Sequence, residues 1–199
     1  MNAALPALLL SIALSICAAQ TASAQTTSCV DGGKIATEAT FNDGSVVRVL
    51  ERTNDTLRYE AQPPGKPATT MVVKKIFLTL SATTDKGANT FEWLSEPTMS
   101  GPLVEGQTHT ASANLKTTVG TEAKITAEMT VGPLETVEVE GCAYPTRQLT
   151  VTLAMDGQKS KLVRNYHEKS MLTLKSVTYI FPTDTETKEV ARTFAVSLK

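Results

Sequence analysis

Residues 147–166 read RQLTVTLAMDGQKSKLVRNY. In the segment LTVTL every second residue is apolar, which is the period of a β-strand with one buried face. The pair Asp156-Gly157 follows, and this pair is typical of a type I′ turn, whose two central residues need positive φ. We therefore predict a β-hairpin with strands at 147–155 and 158–166.

The same two signals, alternation and short turns, recur along the chain. Asn54-Asp55 separates two alternating runs, and no alternation of strands with helical segments is visible. The strands predicted outside the first hairpin lie near 47–52, 56–60, 72–80, 123–131 and 172–181. We expect an all-β, antiparallel, single-domain protein of about ten strands, folded as a curved sheet that forms either an open half-barrel or a sandwich.

The apolar residues of these strands are expected to point to one concave side. Most of them are small, and the whole chain has five Phe and one Trp to fill the space. Because leaving a wide apolar surface in water is unfavourable, either side chains, a ligand or a partner must cover it. We expect a groove or cavity rather than a solid core.

Composition and charge exclude several classes of protein. The chain has 199 residues, is 41% hydrophobic and 20% charged, and carries a formal net charge of −1. Its apolar fraction is too high for a disordered chain. A nucleic-acid-binding domain would need a clear excess of basic residues, so we expect no nucleic-acid partner.

The first 24 residues have the features of a secretion signal. Leu8 to Ile16 form an apolar run, and Ala22-Ser23-Ala24 matches the small-x-small cleavage pattern. This run is too short to span a bilayer, and we expect no transmembrane segment in the mature chain. We predict a signal peptide at 1–24, a single β-rich domain at 25–199, and a periplasmic or secreted bacterial protein.

Cys17 permits a second interpretation of the same segment. Leu14-Ser15-Ile16-Cys17 is similar to the lipobox of bacterial lipoproteins, in which the cysteine is acylated and anchors the protein. The residue before that cysteine is usually Gly, Ala or Ser, whereas this chain has Ile16. The alternative to a free mature protein is therefore a lipoprotein anchored through Cys17.

Two cysteines, Cys29 and Cys142, remain after the predicted cleavage. In an exported chain, two cysteines are most simply interpreted as one disulfide. A redox-active pair would be expected to show C-x-x-C spacing, which this chain lacks. We predict a structural disulfide between Cys29 and Cys142.

The histidines and carboxylates form no recognisable catalytic or metal motif. His109 and His167 are the only histidines, and a zinc site built on them would need a third ligand such as Glu105 or Glu168. We interpret both histidines as ordinary polar residues, and we predict no metal site and no cofactor.

A catalytic role is also not expected from the acidic residues. Glu135, Glu138 and Glu140 lie close together in the sequence, but in a half-exposed strand such residues are usually solvated surface charges. No nucleophile motif such as G-x-S-x-G is present. We predict no catalytic residues and no enzymatic activity.

Residues 101–181 resemble secreted proteobacterial β-rich proteins of unknown function. The matching elements are Pro-Leu-Val-Glu-Gly at 102–106, Glu-Thr-Val-Glu-Val at 135–139 with Tyr144 after it, and Tyr166 followed by Leu-Lys-Ser at 174–176. Some of those proteins are similar to the curved-sheet periplasmic lipoprotein carriers. The resemblance implies an envelope location and an apolar ligand, and it implies no reaction.

The chain departs from that pattern at the turn after the second element. Glu140 and Cys142 stand where those proteins have Pro and Gly. We expect a non-catalytic binding or interaction module of the cell envelope; the alternatives are a carrier of a lipid or other apolar molecule, and a hydrolase. The partners that we expect are an apolar small molecule or another envelope protein.

Overall fold

The structure, a computed structural model, describes Cys29 and residues 35–95, 102–120, 122–183 and 186–199. The predicted leader at 1–24, its cleavage site and Cys17 lie outside these residues. The described residues form twelve β-strands. They are β1 (Glu38–Phe41), β2 (Val46–Arg52), β3 (Thr56–Gln62), β4 (Thr69–Lys74), β5 (Leu78–Thr84), β6 (Gly87–Ser95), β7 (Thr108–Thr117), β8 (Glu122–Val139), β9 (Cys142–Met155), β10 (Gln158–His167), β11 (Leu172–Thr183) and β12 (Glu186–Leu198). Among the described residues, no helix has the length and apolarity needed to cross a membrane.

The strands form one antiparallel sheet that closes into a barrel. Each strand pairs with its neighbours in the sequence, and β1 pairs with both β2 and β12. The predicted all-β, antiparallel class is confirmed. The expectation of about ten strands in an open half-barrel or sandwich is wrong, because the barrel has twelve strands and is closed. Closure depends on pairing between β1 and β12, the first and last described strands, which no local sequence pattern encodes.

Hydrogen bonds and ion pairs hold the closing strands together. The Thr37 amide donates to the Lys199 carbonyl at 2.6 Å, and the Lys199 amide donates to the Glu38 carbonyl at 3.0 Å. The Glu38 carboxylate also lies 3.0 Å from Lys199 Nζ and 2.9 Å from Arg48 Nε. These hydrogen bonds, first to Lys199 and then to Arg48, lower the pKa of Glu38.

The predicted strand near 72–80 is wrong, because a turn divides it into β4 and β5. Lys75 and Ile76 have φ values of 47° and 74°, a conformation that non-glycine residues rarely adopt. The Lys75 amide donates to the Asp55 carbonyl at 2.7 Å, and Phe77 and Leu78 are buried directly after it. Long-range contacts therefore stabilise a turn that has no Gly, Pro, Asn or Asp to reveal it.

The hairpin predicted around Asp156-Gly157 is present. β9 and β10 pair from Met155 and Gln158 at the turn to Arg147 and Tyr166. Asp156 and Gly157 have φ values of 48° and 78°, as a type I′ turn requires.

The register of these strands defines the inner face of the barrel. Directly paired residues of an antiparallel ladder share one face. Met129 pairs with Val151 and Val131 with Leu149, and all four side chains are buried. They belong to the larger core cluster, which fills part of the interior: Phe77, Leu78, Leu103, Ala111, Ala127, Met129, Val131, Leu149, Val151 and Tyr166.

The long hairpin β8–β9 continues beyond the barrel wall as an extension that we call the arm (residues 134–147). A bulge between Val131 and Leu134 marks its beginning. The arm and the barrel wall bury opposite faces of the hairpin. In the arm, the buried side chains of β9 are at even positions, such as Tyr144 and Thr146, whereas in the wall they are at odd positions, such as Leu149. The arm packs in a second core cluster with residues of β1, β11 and β12: Ala36, Ala39, Phe41, Val139, Cys142, Tyr144, Leu172, Leu174, Ala195 and Leu198.

A disulfide joins the tip of the arm to the segment that precedes β1. It links Cys29 to Cys142, the pair that the sequence predicts, with their Cα atoms 5.6 Å apart. Cys142 is buried and Cys29 is exposed. The bridge therefore connects the arm covalently to a segment 113 residues away in the chain.

Successive turns of such a barrel lie alternately at its two ends. The turns at 53–55, 75–77, 140–141 and 168–171 share one end, which we call the arm end. The turns at 42–45, 63–68, 85–86 and 156–157 lie at the other end, which we call the far end.

Candidate functional site

A cavity of about 240 Å³ lies inside the barrel, between the two core clusters. The two core clusters fill much of the interior, and this space remains beside them. The lining residues come from β1 to β4, β10 to β12, two arm-end turns and the far-end turn at 42–45: Phe41, Ser45, Val47, Leu57, Tyr59, Val73, Ile76, Arg164, Tyr166, Met171, Leu172, Thr173, Ser176 and Thr193. Half of these residues are apolar, and the other half (one arginine, two tyrosines, two serines and two threonines) bring polar groups to the lining.

Arg164 supplies the charged group of this cavity. It pairs with Leu149 on one side and with Ser176 on the other, so its side chain shares the inner face with them. In the described part of the chain, neither a hydrogen bond nor an ion pair engages its guanidinium, and the described cavity lining includes no carboxylate. Burial lowers the pKa of Arg164, although an arginine remains charged at neutral pH.

Two tyrosines line the same cavity. Tyr166 lies two residues after Arg164 on the same face of β10, and Tyr59 comes from β3. Burial raises the pKa of both phenols, and the neighbouring Glu168 raises that of Tyr166 further. Both hydroxyls are therefore protonated at neutral pH and can donate a hydrogen bond.

A second, mostly apolar space opens at the far end of the barrel. Its volume is about 530 Å³, and its lining includes Phe91, Leu115, Ile125 and Ile180. Ile180 is 40% exposed and Met155, which also lines it, is 38% exposed. The interior is therefore left partly unfilled at two places.

The arm end carries a more polar pocket that adjoins the cavity. Ile76, Tyr166 and Met171 line both spaces. The Arg52 Nη2 atom donates to the carbonyls of Ala36 at 2.9 Å and Ser170 at 2.7 Å. Arg52 therefore ties the turn at 168–171 to the segment that leads into β1.

The two histidines lie on different strands. His109 is half-buried on β7 and His167 is buried on β10, and β8 and β9 run between those strands. His167 Nδ1 lies 2.8 Å from Ser170 Oγ, and the ring meets the Tyr144 ring edge-on at 5.6 Å between centroids. Within the described ranges no three His, Cys, Asp or Glu side chains are placed to hold a metal ion.

The three glutamates of the arm have different surroundings. Glu138 and Glu140 are exposed, whereas the Glu135 carboxylate accepts hydrogen bonds from Asn165 at 2.7 Å and Gln148 at 2.9 Å. Glu135 is half-buried and therefore belongs to a partly buried polar network whose members do not line the cavity.

Sequence reasoning missed Arg164 and Tyr59 as site residues. A signal for Arg164 was nevertheless present, because the turn at 156–157 places it opposite Leu149, on the apolar face of the hairpin. An arginine on the apolar face of a strand is unusual, because charged side chains are seldom buried, and it indicates a functional role for that side chain inside the fold. For Tyr59 no comparable signal exists, since its place in the cavity depends on barrel closure.

Comparisons with known sequences and with solved structures give different results. No protein-family profile matches this chain, and no curated protein sequence matches it. The fold is similar to that of the hypothetical lipoprotein YmcC from Escherichia coli (K12), with a TM-score of 0.47 and 10% sequence identity. That match covers 80% of this chain and 82% of YmcC.

Proposed function

We propose that this protein is an exported, non-catalytic binding protein of the bacterial envelope that holds a small, largely apolar molecule inside its barrel. The observation that carries the proposal is the cavity of about 240 Å³ between the two core clusters. Apolar surface left in contact with water is unfavourable, and a ligand that covers it gains about 25 cal/mol per Å².

The size of the cavity limits the size of the ligand. An engineered cavity of about 150 Å³ in another protein binds benzene, so about 240 Å³ suits a molecule somewhat larger than a single ring or a medium-length alkyl chain. A pocket of this kind supports affinities on the order of micromolar.

Two features support export. The first is the segment 1–24, which the sequence predicts to be a secretion signal. The Cys29–Cys142 disulfide is the kind of bond that forms and persists in an oxidising compartment.

The chemistry of the lining supports binding rather than catalysis. The polar groups that face the cavity are the Arg164 guanidinium, the Tyr59 and Tyr166 phenols, and serine and threonine hydroxyls. Such groups orient a ligand by donating hydrogen bonds. General base catalysis instead uses a proton acceptor whose pKa lies near the operating pH.

A titration with 1-aminonaphthalene, a small neutral fluorophore whose emission changes in apolar surroundings, tests this proposal. We expect saturable binding to the folded wild-type protein with a Kd on the order of micromolar. The variant Ser176→Phe places a ring in the cavity and should weaken binding at least about tenfold. Thr193→Phe tests the same space from β12.

Thr126→Phe is the matched control. Thr126 is exposed and alternates with the buried Ile125 and Ala127, so its side chain lies on the outer face. The Thr126→Phe variant should bind the fluorophore with the same affinity as the wild type. Absence of saturable binding by a cooperatively folding wild-type protein, or equal binding by Ser176→Phe, would exclude the interior site and favour a plain interaction module.

A further inference from the structure

The position of Arg164 in the cavity points to the chemistry of the ligand. Its guanidinium shares the inner wall with Leu149 and Ser176, and Val47, Leu57 and Val73 line the surrounding cavity. Among the described residues, none offers this guanidinium an ion pair or accepts a hydrogen bond from it. The cavity is thus a space lined by apolar side chains and hydroxyl groups, with one positive charge in its wall.

A partly buried charge is costly without a partner. Arg164 is half-buried, so it loses part of its hydration, and no opposite charge lines the described cavity to compensate that loss. An aliphatic side chain at this position would have filled the wall at lower cost, as Leu149 and Leu162 do on the same face. An anionic group that enters the cavity would remove the penalty.

We propose, building on the interior binding function above, that the ligand is an amphipathic anion with one carboxylate head and an apolar tail, and that Arg164 holds the carboxylate. The planar guanidinium can donate two parallel hydrogen bonds to a carboxylate, a geometry that strengthens the pair. The Tyr59 and Tyr166 hydroxyls line the same cavity and supply further donors.

The remaining lining fits the tail of such a molecule. Val47, Leu57 and Val73 surround the polar groups, and Phe41 and Leu172 extend the apolar surface. Medium-chain fatty acids and aromatic carboxylic acids both have this chemistry. A cationic amphiphile would instead place a second positive charge beside Arg164 and be repelled.

The test compares decanoate, 1-decanol and decylamine as competitors of bound 1-aminonaphthalene, each below its aggregation limit. In the wild-type protein we expect decanoate to bind at least about tenfold more tightly than decanol, since a charge-assisted bidentate pair contributes more than one neutral hydrogen bond. Decylamine should bind more weakly than decanol. Decyl phosphate, added as a fourth competitor, should bind more weakly than decanoate if the head is a carboxylate.

Arg164→Gln should weaken the binding of decanoate at least about tenfold, and its affinity for decanol should stay within about threefold of that of the wild type. Arg164→Lys keeps the positive charge but loses the planar guanidinium with its paired N–H donors. Its affinity for decanoate should therefore lie between those of the wild type and of Arg164→Gln. Arg192→Gln is the matched control, because Arg192 is exposed and pairs with Glu189 at 3.0 Å. It should behave like the wild type.

The possible results separate this inference from the proposed function. If the wild type binds decanol as tightly as decanoate, or if Arg164→Gln keeps the preference, the carboxylate assignment is overturned while interior binding stands. If neither competitor displaces the fluorophore, the proposed interior site itself fails. Should Arg164→Gln not fold, the decanoate-to-decanol ratio of the wild type decides the question alone.

Discussion

Asn165 lies at the point where the barrel wall meets the arm. Its side-chain amide donates to the Glu135 carboxylate at 2.7 Å and to Thr146 Oγ1 at 3.3 Å. Gln148 donates to the other oxygen of Glu135 at 2.9 Å, and Thr146 Oγ1 donates to the Glu135 carbonyl at 3.1 Å. Asn165 is only 3% exposed, so these bonds replace water that cannot reach it.

Asn165→Ala should lower the free energy of unfolding by about 1–3 kcal/mol, because it removes two hydrogen bonds and leaves an oxygen of the half-buried Glu135 carboxylate without this donor. Urea unfolding measures this change. Asn89→Ala, at an exposed position on β6, is the control and should stay within about 0.5 kcal/mol of the wild type. An equal effect of the two substitutions would show that the network does not stabilise the fold.

At the residue scale, the sequence predicts which side chains alternate but not what they meet. The apolar alternation of Leu149, Val151 and Leu153 correctly indicates one face of the wall. The same reasoning treats Glu135 as a solvated charge, whereas it is half-buried and its carboxylate accepts hydrogen bonds from Asn165 and Gln148. Its partner Asn165 lies 30 residues away, and no local pattern connects them.

The arm is the element that sequence reasoning describes least well. Polar and apolar residues alternate both before and after residues 132–133. The bulge at these residues shifts the alternation, so that the face of β8 that is buried after it is not the face that is buried before it. Gly132 is packed tightly against Gln148, since a Cβ atom at this position would lie 3.1 Å from Gln148 Oε1. A glycine within a strand indicates a bulge, but only the partner surfaces of β1 and β12 determine which face of the arm is buried.

The disulfide should stabilise the arm against unfolding. Cys142→Ser or Cys29→Ser should lower the free energy of unfolding by about 2–5 kcal/mol, because the bridge closes a loop of more than 100 residues and restricts the unfolded chain. Denaturant unfolding of oxidised wild type and of both variants measures the loss. Wild type reduced in denaturant serves as the control and should match the variants.

Two results would contradict this account of the arm. Free thiols at both cysteines in protein recovered from an oxidising compartment would show that the pair is not bonded. A variant as stable as the oxidised wild type would show that the bridge does not contribute to folding.

At the scale of the whole molecule, barrel closure is what creates the candidate site. The cavity lining combines β1 to β4 with β10 to β12, and these two groups of strands meet only through the pairing of β1 with β12. The sequence predicts the all-β class and an unfilled concave side. It does not predict closure, because the bonds between residue 37 or 38 and Lys199 join the two ends of the described chain.

The central claim, that the barrel interior holds a small amphipathic molecule, is tested most directly by native mass spectrometry of the full chain produced in a bacterium and purified from its envelope. We predict one non-covalently bound small molecule per wild-type chain, released by gentle activation, and its loss from Ser176→Phe but not from Thr126→Phe. Wild-type protein that is folded and ligand-free, or a ligand retained equally by Ser176→Phe, would contradict the claim.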